Sequence, residues 1–210
     1  MPYLEDRIVL SGSTTKGLQM RNPKILVCSG SVRSGSHNGK LTALVAKRLA
    51  ILDAEVTHLS LRDYPLPIYD GDLEESEGAP ENARKLNRLL HSQDGVFLAC
   101  PEYNAGVTPL LKNTLDWISR AKEPGDPFKN TVFALGAASP GGFGGMRGLI
   151  GMRTILEVGL GAMVLPQMVS VPKATNAFDD KDDLPEERLS GQLDKLVDAL
   201  LRATRIELSH

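Results

Sequence analysis

The sequence predicts an α/β fold in which a parallel five-stranded sheet carries helices on both faces. Short, continuously apolar segments, typical of strands buried on both faces, alternate along the chain with amphipathic helical segments. No internal repeat interrupts the alternation, and 210 residues are enough for one domain with a sizeable core. Hydrophobic residues make up 41% of the chain and charged residues 24%, as is ordinary for a globular protein.

The first half of the chain contributes three strands and two helices to this alternation. Prolines and glycines interrupt the segment YPLPIYDGDLEESEGAPE, so we expect a long surface excursion after the second strand. The first helix carries its leucines along one stripe, which is the spacing of an amphipathic helix. In order, the predicted elements are a strand at 25–29, a helix from about Lys40, a strand at 56–61, a helix at 81–91 and a strand at 95–100.

The second half contributes two strands and three helices. Pro109 suits the first turn of a helix, because its missing N–H has no intrahelical partner there. The final helix starts at Asp183 and Pro185, after the acidic linker DDKDD, and carries a regular leucine stripe. In order, the predicted elements are a helix at 109–120, a strand at 131–139, a helix around 150–158, a strand at 162–165 and the final helix.

Three polar or glycine-rich loops follow strands of this predicted sheet. We call residues 30–38 the first loop, 101–106 the second loop and 139–145 the third loop. In open parallel sheets, ligands bind beyond the carboxyl ends of the strands, where the strand order reverses. The sequence therefore predicts a binding site formed by these three loops.

Charge and hydropathy exclude several classes of partner. The net charge is −2 and no Lys/Arg cluster occurs, so we expect no nucleic-acid partner. No apolar run of about 18 residues is present, so we expect no membrane span. The first nineteen residues lack the apolar centre of a signal peptide. We expect a flexible N-terminal extension over 1–20, a single domain over 21–210, and a cytoplasmic location.

Cys28 and Cys100 are the two cysteines of the chain, and both lie in apolar segments predicted to be buried strands. Without a CxxC motif or a Cys/His cluster, we expect no metal site. Free cysteines in core strands act as small apolar packing residues, and reduced thiols fit a reducing compartment.

The first loop resembles two nucleotide-binding motifs and satisfies neither. A dinucleotide fingerprint needs a second glycine where Val32 stands, and a Walker loop needs a lysine where Ser36 stands. What remains is a set of hydroxyls, one arginine and one amide immediately before a helix: Ser31, Arg33, Ser34, Ser36 and Asn38. Helix-start N–H groups, hydroxyls and a guanidinium suit a terminal phosphate. The alternative is a capped helix start in a mobile surface loop, with Arg33 solvated.

The other two loops also admit two interpretations each. In the second loop, Tyr103 and Asn104 are able to border a heteroaromatic ring, or Asn104 and Gly106 simply provide the backbone freedom of a turn. In the third loop, four glycines in seven residues let the backbone approach a ligand, or make a flexible connection. Arg147 and Arg153, beyond that loop, either attract a phosphate or are solvated helix charges.

Taken together, the segments GSVRSGSHN, PEYNAGVTPLLKNTLDW and SPGGFGG resemble the NAD(P)H-dependent FMN reductase family. Its relatives include soluble quinone, chromate and azo-dye reductases. The resemblance extends from about Lys24 to the final helix and includes LPIYDGDLE. It implies a flavodoxin-like three-layer sandwich whose sheet has the strand order 2-1-3-4-5.

The resemblance also implies which residues bind FMN. The first loop would contact the phosphate, the second loop would border the isoalloxazine ring, and the third loop would close its other side. Members of the family usually assemble as homodimers or homotetramers, with FMN near the subunit contact. The implied FMN-binding residues are Ser31, Arg33, Ser36, Asn38, Pro101, Glu102, Tyr103, Asn104, Ser139, Gly141 and Gly142.

In the implied reaction, NADPH or NADH reduces bound FMN and then leaves, and a small acceptor takes the electrons at the same face. The acceptors implied are a quinone, an azo compound, chromate or free flavin. The flavin carries the chemistry, so we assign no catalytic side chain and no metal. Arg147 is a further candidate for contact with the phosphate of the nicotinamide cofactor.

Two other interpretations stay open at this point. One is a flavodoxin-type FMN electron carrier that serves protein partners and has no nicotinamide site. Such carriers tend to be strongly acidic and to lack an arginine in the phosphate loop, whereas this chain has a net charge of −2 and Arg33. The other is an FMN-free binding protein that kept only the fold.

Overall fold

The computed structural model describes residues 21–207, so the predicted N-terminal extension over 1–20 lies outside the described residues. Five parallel strands form the central sheet in the spatial order β2-β1-β3-β6-β7, which confirms the predicted order 2-1-3-4-5 and the flavodoxin-like arrangement. The strands are β1 (Lys24–Ser29), β2 (Glu55–Leu59), β3 (Gly95–Ala99), β6 (Val132–Ala138) and β7 (Met163–Val171), with a two-stranded hairpin of β4 (Glu102–Tyr103) and β5 (Gly106–Val107).

Helices cover both faces of the sheet. The first begins three residues earlier than predicted, because the Ser36 hydroxyl accepts a hydrogen bond from Gly39 N–H and caps it. The helices are α1 (His37–Ile51), α2 (Gly71–Glu77), α3 (Glu81–His91), α4 (Pro109–Arg120), α5 (Met146–Arg153) and α6 (Glu187–Glu207). A short 3-10 turn spans Leu61–Asp63, and a π-helical turn, Thr154–Gly159, continues α5.

The core consists of two apolar layers, one on each face of the sheet. In β1, Ile25 and Val27 pack into the layer beneath α1 and α6, whereas Leu26 and Cys28 pack into the layer beneath α3, α4 and α5. Successive side chains of a strand point to opposite faces, so burial on both faces requires the continuous apolar run that the sequence shows.

Both cysteines are free and buried, as predicted. Burial raises the pKa of the Cys28 thiol to about 12 and raises the pKa of Cys100 as well. Neither thiol is therefore ionised near neutral pH, which fits packing residues rather than nucleophiles.

Three further elements differ from the sequence-based prediction. The surface excursion contains α2, which Asp70 caps through a hydrogen bond from Asp72 N–H. The last strand runs to Val171, well beyond 162–165. Pro166 does not end it, because this residue lies at an irregularity in the pairing of the edge strand with β6, where proline is tolerated. The final helix begins at Glu187 rather than Asp183, whose carboxylate is held by Arg48 and by Leu184 N–H.

Among the helices of residues 21–207, none is both long and apolar enough to cross a bilayer.

Candidate functional site

The first and second loops meet at the carboxyl edge of the sheet through the backbone of Gly30. Its N–H donates to Ala99 O (2.8 Å), and its carbonyl accepts from the Thr108 hydroxyl (3.3 Å). A Cβ at this position would lie 2.8 Å from Leu111 Cδ2 and 2.9 Å from Pro101 Cδ. A glycine is therefore required by close approach between the two loops, and Pro101 serves this contact from a buried position.

The first loop folds largely on its own backbone. The Ser29 hydroxyl accepts from Ser31 N–H (3.2 Å), and the Ser31 hydroxyl accepts from Arg33 N–H (3.3 Å). Gly35 adopts a left-handed φ of 65°, after which Ser36 caps α1. The hydroxyls of Ser29, Ser31 and Ser36 therefore lie along a loop that ends at the N-terminus of α1, where partial positive charge favours an anion.

Arg33 is the exposed cation of this loop. Among the described residues, its guanidinium bonds only to the carbonyl oxygens of Ser34 and Gly35, each at 3.4 Å. Within residues 21–207, no carboxylate lies within ion-pairing distance of Arg33, and the first turn of α1 carries no acidic side chain. The guanidinium is therefore free to bind a phosphate.

His37, which no sequence motif marks, adds to the electrostatics of the first loop. Burial lowers the pKa of its imidazole, and the positive charges of Arg33 and Lys40 lower it further. Its Nδ1 atom is buried without a hydrogen-bond partner among the described residues. The charges of Arg33 and Lys40 make the start of α1 locally positive, and a bound anion would offset them.

Asn38 ties the first loop to the third. Its buried amide donates to Ala138 O (2.8 Å) and accepts from Ala138 N–H (3.0 Å), across 100 positions of sequence. The side chain thus fixes the start of α1 against the end of β6. This is a positioning role, and direct contact between Asn38 and a phosphate stays a prediction.

The second loop folds into a short hairpin. Asn104 and Ala105 form its two-residue turn, with left-handed φ angles of 50° and 64°. Such a turn matches the twist of the strands on either side. The hairpin presents Tyr103 with 58% of its surface exposed. Asn104 therefore serves the turn, as one interpretation proposed, and Tyr103 is available to a ligand.

Glu102 braces the hairpin against α5. Its side chain is only 6% exposed, and its carboxylate accepts from Arg147 Nε (2.8 Å) and from Gly148 N–H (3.1 Å). Burial by itself raises the pKa of the Glu102 carboxyl, but the hydrogen bonds from Gly148 and Arg147, with the charge of Arg147, outweigh it and lower the pKa below its ordinary value. Glu102 is therefore an ionised brace rather than a proton donor.

The third loop is fixed to β7, which argues against a flexible connection. The Ser170 hydroxyl donates to Phe143 O (3.1 Å), and Lys173 N–H donates to Gly141 O (3.2 Å). A Cβ on Gly144, whose φ is 59°, would lie 2.4 Å from Ser170 Oγ. The Ser139 hydroxyl accepts from Gly141 N–H (3.3 Å). The loop is thus a defined backbone surface.

Gly142 is the open position of the third loop. A Cβ there would meet nothing within 4 Å, so its backbone is accessible to a ligand. The two arginines beyond the loop are both committed: Arg147 to Glu102, and Arg153 to Leu165 O (2.6 Å) and to Glu157. Arg153 therefore stabilises the turn after α5 and is not a phosphate ligand in this arrangement.

The donor set fits FMN. The first loop offers hydroxyls, an unpaired guanidinium and a helix N-terminus for the phosphate, while the second and third loops offer an exposed ring and open backbone for a flat heterocycle. Among residues 21–207, no group of three His, Cys, Asp or Glu side chains is placed to hold a metal ion. The polar groups of the first loop are suited to an organic phosphate.

Comparison with known proteins points to the same cofactor. Residues 23–176 match a family profile described as NADPH-dependent FMN reductase. A quinone reductase of Escherichia coli strain K12 is 36% identical over 143 residues, which are 68% of this chain and 73% of that protein. An NAD(P)H-dependent FMN reductase of Pseudomonas aeruginosa is 31% identical over 182 residues, covering 82% of this chain and 92% of that protein.

A solved structure has a similar fold. FerB, a flavoenzyme NAD(P)H:(acceptor) oxidoreductase from Paracoccus denitrificans, superposes with a TM-score of 0.70 at 25% sequence identity, over 88% of this chain and 98% of that chain.

Proposed function

Since the chain belongs to the NADPH-dependent FMN reductase family and is an FMN-dependent NAD(P)H oxidoreductase, we propose that its acceptor is a small planar molecule of the quinone class. One observation carries the proposal. Arg33, which has no acidic partner among residues 21–207, lies on the first loop, and exposed aromatic rings lie on the second and third loops at the same edge of the sheet. The relative named quinone reductase supports the acceptor class.

We assign the FMN phosphate to the first loop. Ser31 and Arg33 would contact it with their side chains, while Ser36 would hold the helix start whose N–H groups point at it. Asn38 would act indirectly, by fixing that helix start to β6. An anionic group in this position would be held by charge-assisted hydrogen bonds without a metal.

We assign the isoalloxazine ring to the space between the second and third loops. Tyr103 and Asn104 would border one side, held by Pro101 and the Glu102 brace, and the backbone of Ser139, Gly141 and Gly142 would border the other. Rigid backbone on both sides would orient a flat ring and exclude water from one of its faces.

When bound, FMN supplies the redox chemistry by taking a hydride from the nicotinamide and returning two electrons to the acceptor. In net terms a quinone, NAD(P)H and one proton become a hydroquinone and NAD(P)+. Glu102 is not placed as a proton donor, because Arg147 and Gly148 hold it ionised. We propose that the proton comes from solvent.

The flavodoxin-type carrier is not favoured, since the family and the relatives are NAD(P)H oxidoreductases.

We also propose one domain over 21–210, a cytoplasmic location and a homodimeric or homotetrameric assembly with FMN near the subunit contact. The free, buried thiols support the location. Large apolar side chains that are exposed outside the three loops support the assembly: Ile51, Ile68 and Val158.

The test is anaerobic reduction of the FMN-loaded protein followed by turnover with separate acceptors. We expect NADPH or NADH to bleach the flavin absorbance and 1,4-naphthoquinone to restore it faster than an azo dye, chromate or free flavin. Failure of both nicotinamides to bleach the flavin would refute the activity. Bleaching with preferred reoxidation by one of the other acceptors would refute only the acceptor class.

A further inference from the structure

Two aromatic side chains stand out among the described residues because their rings are exposed. The remaining Phe, Tyr and Trp side chains of 21–207 are buried or half-buried, and the two exposed ones, Tyr103 and Phe143, both lie on loops of the site. An exposed phenylalanine gains nothing from contact with water. The placement of both rings at one edge therefore suggests that they contact a ligand.

The backbone of Phe143 is fixed, so its exposure is built into the loop. Its carbonyl accepts from the Ser170 hydroxyl (3.1 Å) and from Met146 N–H (3.0 Å). The next residue, Gly144, has its backbone pressed against β7, where an added Cβ would lie 2.8 Å from Pro172 N. The ring, with 68% of the residue exposed, thus projects from a rigid support.

One face of the Phe143 ring is already occupied. Arg147 Cζ lies 5.0 Å from the ring centroid, which is within the range of a cation–π contact. Arg147 is in turn held by Glu102, the residue next to Tyr103. The contacts from Glu102 to Arg147 and from Arg147 to Phe143 therefore orient the ring relative to the second loop and leave its other face to solvent.

We propose that Phe143 is the acceptor-binding platform of this enzyme, which selects planar aromatic acceptors by stacking against the free face of its ring. Arg147 is a positioning residue that holds the ring from behind. The proposal rests on the function proposed above and adds a residue that determines specificity. Stacked aromatic pairs contribute enough beyond simple burial to change an affinity by about 2- to 10-fold.

The experiment compares Phe143→Ala and Phe143→Leu with Ile150→Ala in FMN-loaded protein. Ile150 is a matched control because it is 56% exposed, apolar and on α5, outside the three loops. Two readouts are needed: the ratio of kcat/KM for 1,4-naphthoquinone to that for ferricyanide, and the calorimetric Kd of 1,4-naphthoquinone-2-sulfonate for the oxidised protein without nicotinamide.

We expect Phe143→Ala to lower the ratio and weaken the sulfonate about 2- to 10-fold, Phe143→Leu to recover only part of the loss, and Ile150→Ala to change neither. Equal losses for both acceptors, or no loss in Kd, would overturn the platform. So would full recovery by leucine, since that would mean that the position needs only apolar volume. The rate of flavin bleaching by NADPH is measured alongside, so that failure of the activity itself is distinguished from failure of the platform.

A double variant tests the part assigned to Arg147. If Arg147 acts only through the ring, Arg147→Ala lowers the naphthoquinone-to-ferricyanide ratio, and Phe143→Ala/Arg147→Ala lowers it no further than Phe143→Ala alone. Additive losses in the double variant would contradict a positioning role for Arg147.

Discussion

The first loop and the rim formed by the second and third loops are built in opposite ways. Apart from its two ends, Gly30 and Asn38, the first loop bonds mainly to its own backbone, and no acidic side chain of residues 21–207 pairs with Arg33. The rim is braced between elements distant in sequence, through Glu102 with Arg147 and Phe143 with Ser170. The phosphate end therefore relies on available polar groups, whereas the ring end relies on rigid backbone. Removal of Arg33 should change FMN affinity, and loss of the contacts that brace the rim should change stability.

The largest effect is expected at the tightest point of the rim. Gly144→Ala places a Cβ 2.4 Å from Ser170 Oγ and 2.8 Å from Pro172 N, at a left-handed φ of 59°. Left-handed strain and overpacking together should cost about 2–5 kcal/mol in the free energy of unfolding. Urea denaturation measures this cost. Gly142→Ala is the matched control, because its Cβ meets nothing within 4 Å, and an equal loss in both variants would contradict the rigid rim.

Arg33→Ala tests the opposite behaviour. Removing the unpaired guanidinium should weaken FMN binding by about 1.5–3 kcal/mol, the range for a hydrogen bond to a charged group. The unfolding free energy of the FMN-free protein should stay unchanged, since no ion pair is lost. Fluorescence titration of FMN and urea denaturation give the two values. The contrast between the loops fails if the FMN-free variant is destabilised instead.

Glu102→Ala should destabilise the rim to a smaller degree, by about 1–2 kcal/mol, because Arg147 is half exposed and solvent replaces part of the lost contact. Glu81→Ala is the control, since that carboxylate pairs with Arg84 and Arg88 on the open surface and should contribute much less. Thermal unfolding measures the loss of stability in both variants. Equal shifts in Tm would contradict the role of Glu102 in bracing the hairpin against α5.

The smallest effect concerns the pKa of His37. Burial, then Arg33 and Lys40, lower that pKa in the folded protein, so the folded state favours the neutral imidazole. The associated stability is present above the ordinary histidine pKa of about 6.5 and is lost as pH falls through the folded value. A bound phosphate should raise the pKa of His37 and reduce this loss. NMR titration of the imidazole with and without FMN measures it, and an unchanged or lower pKa would place the anion elsewhere.

Most of the fold follows from short-range patterns in the sequence. Strands covered on both faces must be apolar throughout, and this pattern predicts β1, β3 and β6. The hairpin was missed because Ala105 stands where a glycine usually follows asparagine in such a turn. The helix α2 was missed because none of its residues is buried, so no apolar stripe marks it.

The site was predicted at the level of loops but not of bracing contacts. Gly30, Ser31 and Arg33 are consecutive or nearly so, and their chemistry is apparent from the local sequence. The partners of Asn38 and Glu102 lie 100 and about 45 positions away, so only the folded chain shows that their polar groups are engaged. Local sequence therefore identifies groups that suit a ligand, and tertiary structure decides which of them are free.

The most direct test of the central claim compares FMN with riboflavin, which has the same ring and no phosphate. If the first loop holds the phosphate, the wild-type protein binds FMN more tightly than riboflavin, and Arg33→Ala weakens FMN by about 1.5–3 kcal/mol while leaving riboflavin almost unchanged. Equal affinity of the wild-type protein for the two flavins, or an equal loss for both in Arg33→Ala, would contradict the account.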